Sequence, residues 1–343
     1  MKQEKHLYCC SSYYQVLITL MKACTSKITT DIVLEVHGVE TANELSVYIK
    51  NNMGDYVDKV FVCDNNIKVD PYTMRNASFI SAQRKIIKKH VEAVFDKKDF
   101  EKDYSKIYVY WDLGYVGTYL NIKKHKYTLI EDSLNSYKNI RKNRLNYAYI
   151  FNNPVKFRLK KMFGIGVIPF GYSKYCEAVE VNEKEGIEIP PDKVSEFKRI
   201  KLFKMLDEEQ KRMIFKTFFS GTDQKFESDG KGILILTEPF WVTKRLPYEN
   251  TQIKMYKDII EQFSDGGNVY IKPHPRDKIS YSEVFENVIV LEKNIPMEVL
   301  NFSNLFKVKK SITVTSSAIN GITCDKEKIC LGAEFLAKYQ KEI

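Results

Sequence analysis

The sequence predicts an α/β protein built from two parallel sheets in tandem, each covered by helices. Three observations lead there: short apolar runs alternate with longer segments of helical period, the rhythm lapses once near the middle, and the chain has 343 residues. At about 150 residues per domain, that length suggests two cores.

The first half supplies one sheet. Residues 6–10, "HLYCC", read as a buried strand, and in the following "YYQVLITLMKAC" the residues Val16, Leu17, Leu20, Met21 and Cys24 fall on one helical stripe. Further strands are expected at "DIVLEV" from 31, "KVFVCD" from 59, "KIYVYWD" from 106 and "YTLIED" from 127. Between them "KIIKKHVEAVF" repeats the helical spacing through Ile87, Val91, Val94 and Phe95. Residues from about 150 to 195 lose the alternation and carry "NNP", "GIG" and "IPPDK", the punctuation of a crossover. Gly164-Ile165-Gly166 is not a dinucleotide fingerprint, because the third glycine and a preceding strand are missing. The rhythm returns with "GILILTEP" from 232, the helical "TQIKMYKDIIEQF", "NVYIKPHP" from 268, "NVIVLEK" from 287, a short helix from Pro296, "SITVTSS" from 311 and "KICLG" from 328. The expected division is an N-terminal domain over 1–155, a crossover over 156–195 and a C-terminal domain over 196–343.

Composition narrows the class. Hydrophobic residues make up 44% and charged residues 29%, as in a soluble globular protein, and no apolar run reaches the roughly 18 to 20 residues of a membrane span. The start "MKQEKHLYCCSSYYQ" lacks a signal-peptide core, so a cytoplasmic protein is expected. The 7 cysteines include no C-x-x-C pair and indicate neither zinc nor a disulfide framework. A net charge of +10 favours anionic partners. "VKFRLKKMF" could set Lys156, Arg158 and Lys160 beside Leu159, Met162 and Phe163 at a bilayer surface, or simply form a solvated helix face.

Three strand ends carry chemistry. "LIEDSLNSY" places Glu131 and Asp132 where a general base could stand; the same residues read as a helix start capped by Asp132 or Ser133. "YIKPHPRD" sets His274 between two prolines, with Lys272 and Arg276 nearby, which suits a stiff cationic loop facing an anion or a plain surface turn. "TVTSSAIN" offers Thr315, Ser316 and Ser317 as hydroxyl and N–H donors for a phosphate or carboxylate, or as an ordinary cap.

In their order, Glu131-Asp132-Ser133, His274-Pro275 and Ser316-Ser317 resemble the motif series of bacterial lipooligosaccharide and capsule sialyltransferases, of the glycosyltransferase family 52 kind. "NIPMEVL" adds a fourth match at Glu298. The resemblance implies a GT-B fold, with two Rossmann-like domains facing across a cleft. It also implies inverting, metal-independent transfer of sialic acid from CMP-sialic acid to a galactose-type hydroxyl of a surface glycan, with no cofactor. Asp132, or next Glu131, would act as base and His274 would stabilise or protonate the leaving phosphate. Lys272, Pro275, Ser316 and Ser317 would line the phosphate or donor carboxylate, and Glu298 would hold the ribose. No Asp-x-Asp for a nucleotide-bound metal is present. The family's glycine after the acidic pair is Ser133 here, and Glu238 and Glu249 are rival acids, so the choice of base stays open. A galactose-terminated, lipid-linked acceptor would be compatible with peripheral attachment to the inner membrane face. The alternatives are a surface-polymer transferase using CDP-glycerol, CDP-ribitol or another activated donor, and a non-catalytic basic protein binding glycan or nucleic acid. No nucleic-acid-binding signature supports the last.

Overall fold

A computed structural model describes residues 4–36, 39–63, 80–133, 136–139, 154–167, 169–187, 192–220, 228, 230–303 and 306–340. The chain divides into two compact units, Met1–Thr217 and Phe218–Ile343. Each is an α/β layer structure around a wholly parallel sheet, so the two Rossmann-like units of a GT-B chain are present.

In the first unit β1 (Lys5–Cys10), β2 (Thr29–Glu35), β3 (Val57–Cys63), β4 (Lys106–Val109), β5 (Tyr127–Ile130), β6 (Cys176–Val181) and β7 (Val194–Glu196) form one sheet in the order 3-2-1-4-5-6-7. Helix α1 (Tyr13–Ser26) starts at Ser12, whose side chain accepts the Gln15 N–H. Helices α2 (Ala42–Met53), α3 (Ile80–Val94) and α4 (Tyr115–Lys123) follow their strands, and α5 (Pro154–Met162) precedes β6. Leu7, Val33, Val109, Leu129 and Val179 share one buried cluster with Val91 and Tyr119.

Two expectations change here. Residues 156–195, read as a crossover, contain β6 and the start of β7; its punctuation at 151–153 and 188–191 lies outside the described residues. Glu180 interrupts the apolar run of β6 and hid the strand. The second unit also begins at Phe218, not 196, because α6 (Arg199–Met205) and α7 (Glu208–Phe219) are tied to the first sheet. Glu180 accepts Lys22 of α1 at 2.7 Å and Arg199 at 2.6 Å, while Gln210 donates to the Cys24 carbonyl and the Tyr56 hydroxyl. Burial alone would raise the Glu180 pKa, but the two cations outweigh it and hold the carboxyl below its usual value.

In the second unit β8 (Ile233–Leu236), β9 (Val269–Lys272), β10 (Val288–Val290), β11 (Val308–Thr313) and β12 (Asp325–Cys330) run in the order 10-9-8-11-12. Ile233 and Ile235 enter one buried cluster, Leu234 and Leu236 another, as strand alternation requires of a sheet covered on both faces. Helices α8 (Glu249–Phe263), α9 (Tyr281–Val284) and α10 (Gly332–Gln340) complete this unit. None of the seven cysteines, all of them among the described residues, is in a disulfide; six are buried and Cys330 is exposed. No helix among the described residues is long and apolar enough to cross a membrane.

Removing the Glu180 carboxylate leaves two buried cations without it. Glu180→Ala should cost about 3–5 kcal/mol in urea unfolding of the first unit, the scale of a broken buried pair. A loss under about 1 kcal/mol would show that the cluster is not what ties β6 to α1 and α6.

Candidate active site

The strand order of the second sheet reverses between β8 and β11, and ligands of open parallel sheets bind at the carboxyl ends beside such a reversal. Here Thr237 and Glu238 follow β8, Lys272 ends β9 with His274 just beyond it, and Thr315 and Ser316 follow β11.

Four donors converge on Asp277, which is buried. Thr237 donates to it at 2.9 Å, Tyr281 at 2.8 Å and Gln252 at 3.2 Å, and the Ile279 N–H reaches its other oxygen at 3.3 Å. Thr237 in turn accepts the His274 N–H at 3.2 Å, and the His274 carbonyl accepts the Asp277 N–H at 2.8 Å. The latter bond closes a turn with Pro275 at its second position, where a fixed φ is favourable. Pro275 and Arg276 are exposed and His274 is half-buried.

The imidazole is held in one form. Its Nδ1 accepts the Arg276 backbone N–H at 3.0 Å, so the neutral ring carries its proton on Nε2. Burial, then the charges of Arg276 and Lys272, pull its pKa down to about 4. Lys272 is itself buried, and its Nζ donates to the carbonyls of Pro273 at 3.1 Å and Lys293 at 2.9 Å. Burial lowers its pKa to about 7, against the pull of Glu298 and Glu292. Lys272 thus braces the loop while lending it positive field.

Glu298 lies in a 3-10 turn, Met297–Phe302, with its carboxylate against Gly321; a Cβ there would sit 3.0 Å from Oε1. Burial raises its pKa, opposed by a backbone N–H and Lys272. Asn301 fastens the same neighbourhood, donating to the Gly321 carbonyl at 2.7 Å and accepting the Thr323 N–H at 2.8 Å. Gly321 ends the short helix Ser317–Gly321, whose cap is Ser316: its hydroxyl accepts the Ala318 N–H at 3.2 Å. The capping reading of "TVTSSAIN" is therefore realised, with Ser317 left exposed. The structure brings Glu298 to the segment that follows Ser316 and Ser317, and Thr237 links the ends of β8 and β9.

Glu238, a rival acid, is buried and accepts the Thr315 N–H at 2.7 Å, the Thr315 hydroxyl at 2.6 Å and the Thr313 hydroxyl at 3.3 Å. It shapes the turn after β11. Arg245 adds a cation there, donating to Thr315 Oγ1 at 3.2 Å. The other rival, Glu249, opens α8.

The acidic pair belongs to the first unit, at the end of β5. Glu131 is only 2% exposed, and its two oxygens accept the N–H groups of Tyr137 at 3.1 Å and Asn182 at 2.8 Å. Burial raises its pKa, opposed by those two bonds. It joins the carboxyl ends of β5 and β6. Asp132 is half-buried and accepts the Ser136 hydroxyl at 2.5 Å through one oxygen. Of the two carboxylates it is the less buried.

Sequence reasoning missed Thr237, Gln252 and Asn301, which are distant along the chain from the residues they hold, and Tyr281, four residues from Asp277. It also missed Glu35 and Asp112, buried carboxylates at the carboxyl ends of β2 and β4 whose pKa values burial lifts to about 7. Asp277 stood in the quoted "YIKPHPRD", and only its burial gives it a role.

Because the folded pKa of His274 lies below the unfolded value of 6.5, its contribution to stability is present above that pH and is lost as pH falls towards about 4. The ring should titrate near pH 4 in 1H–15N spectra of the free protein, and His274→Asn should lessen acid destabilisation in that window. A midpoint at or above 6.5 would contradict the buried, positively flanked environment.

A sequence model described as glycosyltransferase family 52 matches residues 42–331. An uncharacterised protein of Haemophilus influenzae (strain ATCC 51907 / DSM 11121 / KW20 / Rd) is 30% identical over 221 residues, 61% of this chain and 63% of that protein, so the chain spans under two thirds of this curated relative. Among solved structures, an α/β-galactoside α-2,3-sialyltransferase from Photobacterium phosphoreum aligns over 100% of this chain and 96% of its own, at 12% identity and TM-score 0.48. A UDP-GlcNAc 2-epimerase from Neisseria meningitidis aligns over 92% and 78%, also at 12% identity and TM-score 0.48. Likeness at that level ties neither activity to this chain. The family match rests on sequence that runs through both sheets and every motif above, and by it the chain belongs to glycosyltransferase family 52.

Proposed function

We propose that the chain is an inverting, metal-independent sialyltransferase that moves sialic acid from CMP-sialic acid to a galactose-type hydroxyl of a bacterial surface glycan. One observation carries this reading within the family: His274, on a loop locked to the end of β8, presents a protonated Nε2 beside positive charge. That arrangement suits a departing phosphate.

In the proposed reaction the bond between the anomeric carbon and the CMP phosphate oxygen breaks as the acceptor oxygen bonds to that carbon from the opposite face. Asp132 takes the acceptor proton, since both oxygens of Glu131 are occupied by backbone N–H groups. His274 acts first as a hydrogen-bond donor to the phosphate rather than as a cation, because protonating Nδ1 would forfeit the Arg276 N–H bond. The single negative charge of the bound donor's phosphodiester raises the imidazole pKa, and the second charge that develops on the departing CMP as the bond breaks makes proton transfer easier. Exposed Ser317 and the N–H groups of its turn serve phosphate or donor carboxylate, and Glu298 accepts from the ribose. Lys272 contributes field and loop geometry through its carbonyl bonds.

The test is CMP release from CMP-sialic acid with and without lactose-type acceptors. Acceptor-dependent release should fall about two to four powers of ten in His274→Ala, the usual range for such a group, and comparably in Asp132→Ala, with both variants folded. If CMP binds but no galactoside supports turnover, the sialyl donor is wrong and CDP-glycerol, CDP-ribitol and other activated donors become the candidates.

A further inference from the structure

The Gly164-Ile165-Gly166 turn, which has no part in the chemistry above, borders a cavity of about 620 Å³ in the first unit. Its walls are Arg84 of α3, Lys124 after α4, Lys161 to Gly164 at the end of α5, and Tyr172 to Tyr175 before β6. Lys124 and Tyr175 lead into β5 and β6, so the cavity lies at the amino ends of those strands. Glu131 and Asp132 stand at the opposite, carboxyl end of the same sheet. This is a different place from the candidate active site.

Both glycines are required by close packing. A Cβ at Gly164, where φ is +78°, would come within 2.9 Å of Ile122 Cα, and one at Gly166 within 2.5 Å of the Lys161 nitrogen. On the inner wall Ser173 donates to Asn121 at 2.6 Å, and Asn121 donates onward to the Gly117 carbonyl at 2.8 Å, so this polar floor is held in place.

The charge is one-sided. Arg84, Lys124, Lys161 and Lys174 line the cavity, and among the described residues no carboxylate does. By contrast Lys123, one residue away, is matched by Asp99, Glu92 and Glu101. Like charges gathered around a concavity repel one another, and an anion relieves that repulsion. Half-buried Phe163, Tyr172 and Tyr175 supply apolar faces of the kind a sugar ring packs on. Beside the cavity α5 leaves Met162 75% exposed and Val155 66% exposed, seven residues apart and so on one stripe; the side chain of Lys156 lies outside the described residues.

We propose that this cavity is a second binding site, for a phosphorylated carbohydrate whose phosphate meets the four cations. Its ligand is either a soluble sugar phosphate or the phosphorylated headgroup of a glycolipid in a bilayer.

The test uses glucose 6-phosphate in calorimetric titrations of the whole chain. Wild type and His274→Ala should bind it alike, which separates the cavity from the phosphate site at His274. The double variant Lys124→Gln, Lys174→Gln alters two exposed side chains, so it should keep its melting temperature and its affinity for CMP while losing about tenfold or more in glucose 6-phosphate affinity. Co-sedimentation with phosphatidylglycerol vesicles but not phosphatidylcholine vesicles, lost in the double variant, would assign the phosphate to a headgroup. Glucose 6-phosphate binding without co-sedimentation would assign it to a soluble ester. Wild type that binds neither probe, or a double variant that binds both unchanged, overturns the proposal, and neither result bears on sialyl transfer.

Discussion

Asp277 is the point on which the second unit's candidate site depends. A carboxylate taken out of water needs several donors, and this one has them from Thr237 at the end of β8, Gln252 in α8, Tyr281 in α9 and the Ile279 backbone. The network joins three separate stretches of chain around the Pro-His-Pro loop. The prolines restrict φ, but restriction alone gives a stiff loop with no set direction. Direction comes from the Thr237 hydroxyl, which donates to Asp277 and accepts the His274 N–H.

Positive charge around that loop is arranged in layers of exposure. Lys272 is buried and spends hydrogen bonds on carbonyls, Arg276 is exposed, and His274 between them stays neutral in the free protein. Such an arrangement keeps positive charge near the loop without carrying the full cost of an unpaired buried cation. Glu180 in the first unit solves the opposite problem: a buried carboxylate held by two cations, joining β6 to α1 and α6. One glutamate ties a strand to two helices; one aspartate ties down the Pro-His-Pro loop.

The acidic pair shows how burial divides two neighbouring residues that look equivalent in a string of letters. Glu131 ends a fully buried strand, so its side chain turns inward and accepts two backbone N–H groups. Asp132, one position on, remains half-buried and accepts the Ser136 hydroxyl.

Periodicity was enough to suggest β1 to β5 and β8 to β12 with the main helices beside them, because a strand buried on both faces is apolar throughout and a covering helix repeats its apolar residues near every third or fourth position. Motif order was enough to suggest the family, and the Pro-His-Pro loop was visible as a rigid histidine at a strand end. Strand β6 was hidden by Glu180, whose burial is tolerable only because Lys22 and Arg199 arrive from elsewhere in the chain. The same held for Glu238, which reads as a rival base until Thr313 and Thr315 are found bonded to it. Local sequence determines which elements form, since backbone geometry and apolar spacing are local. Tertiary structure decided which charged groups remain free to act, because that depends on partners brought in by the fold.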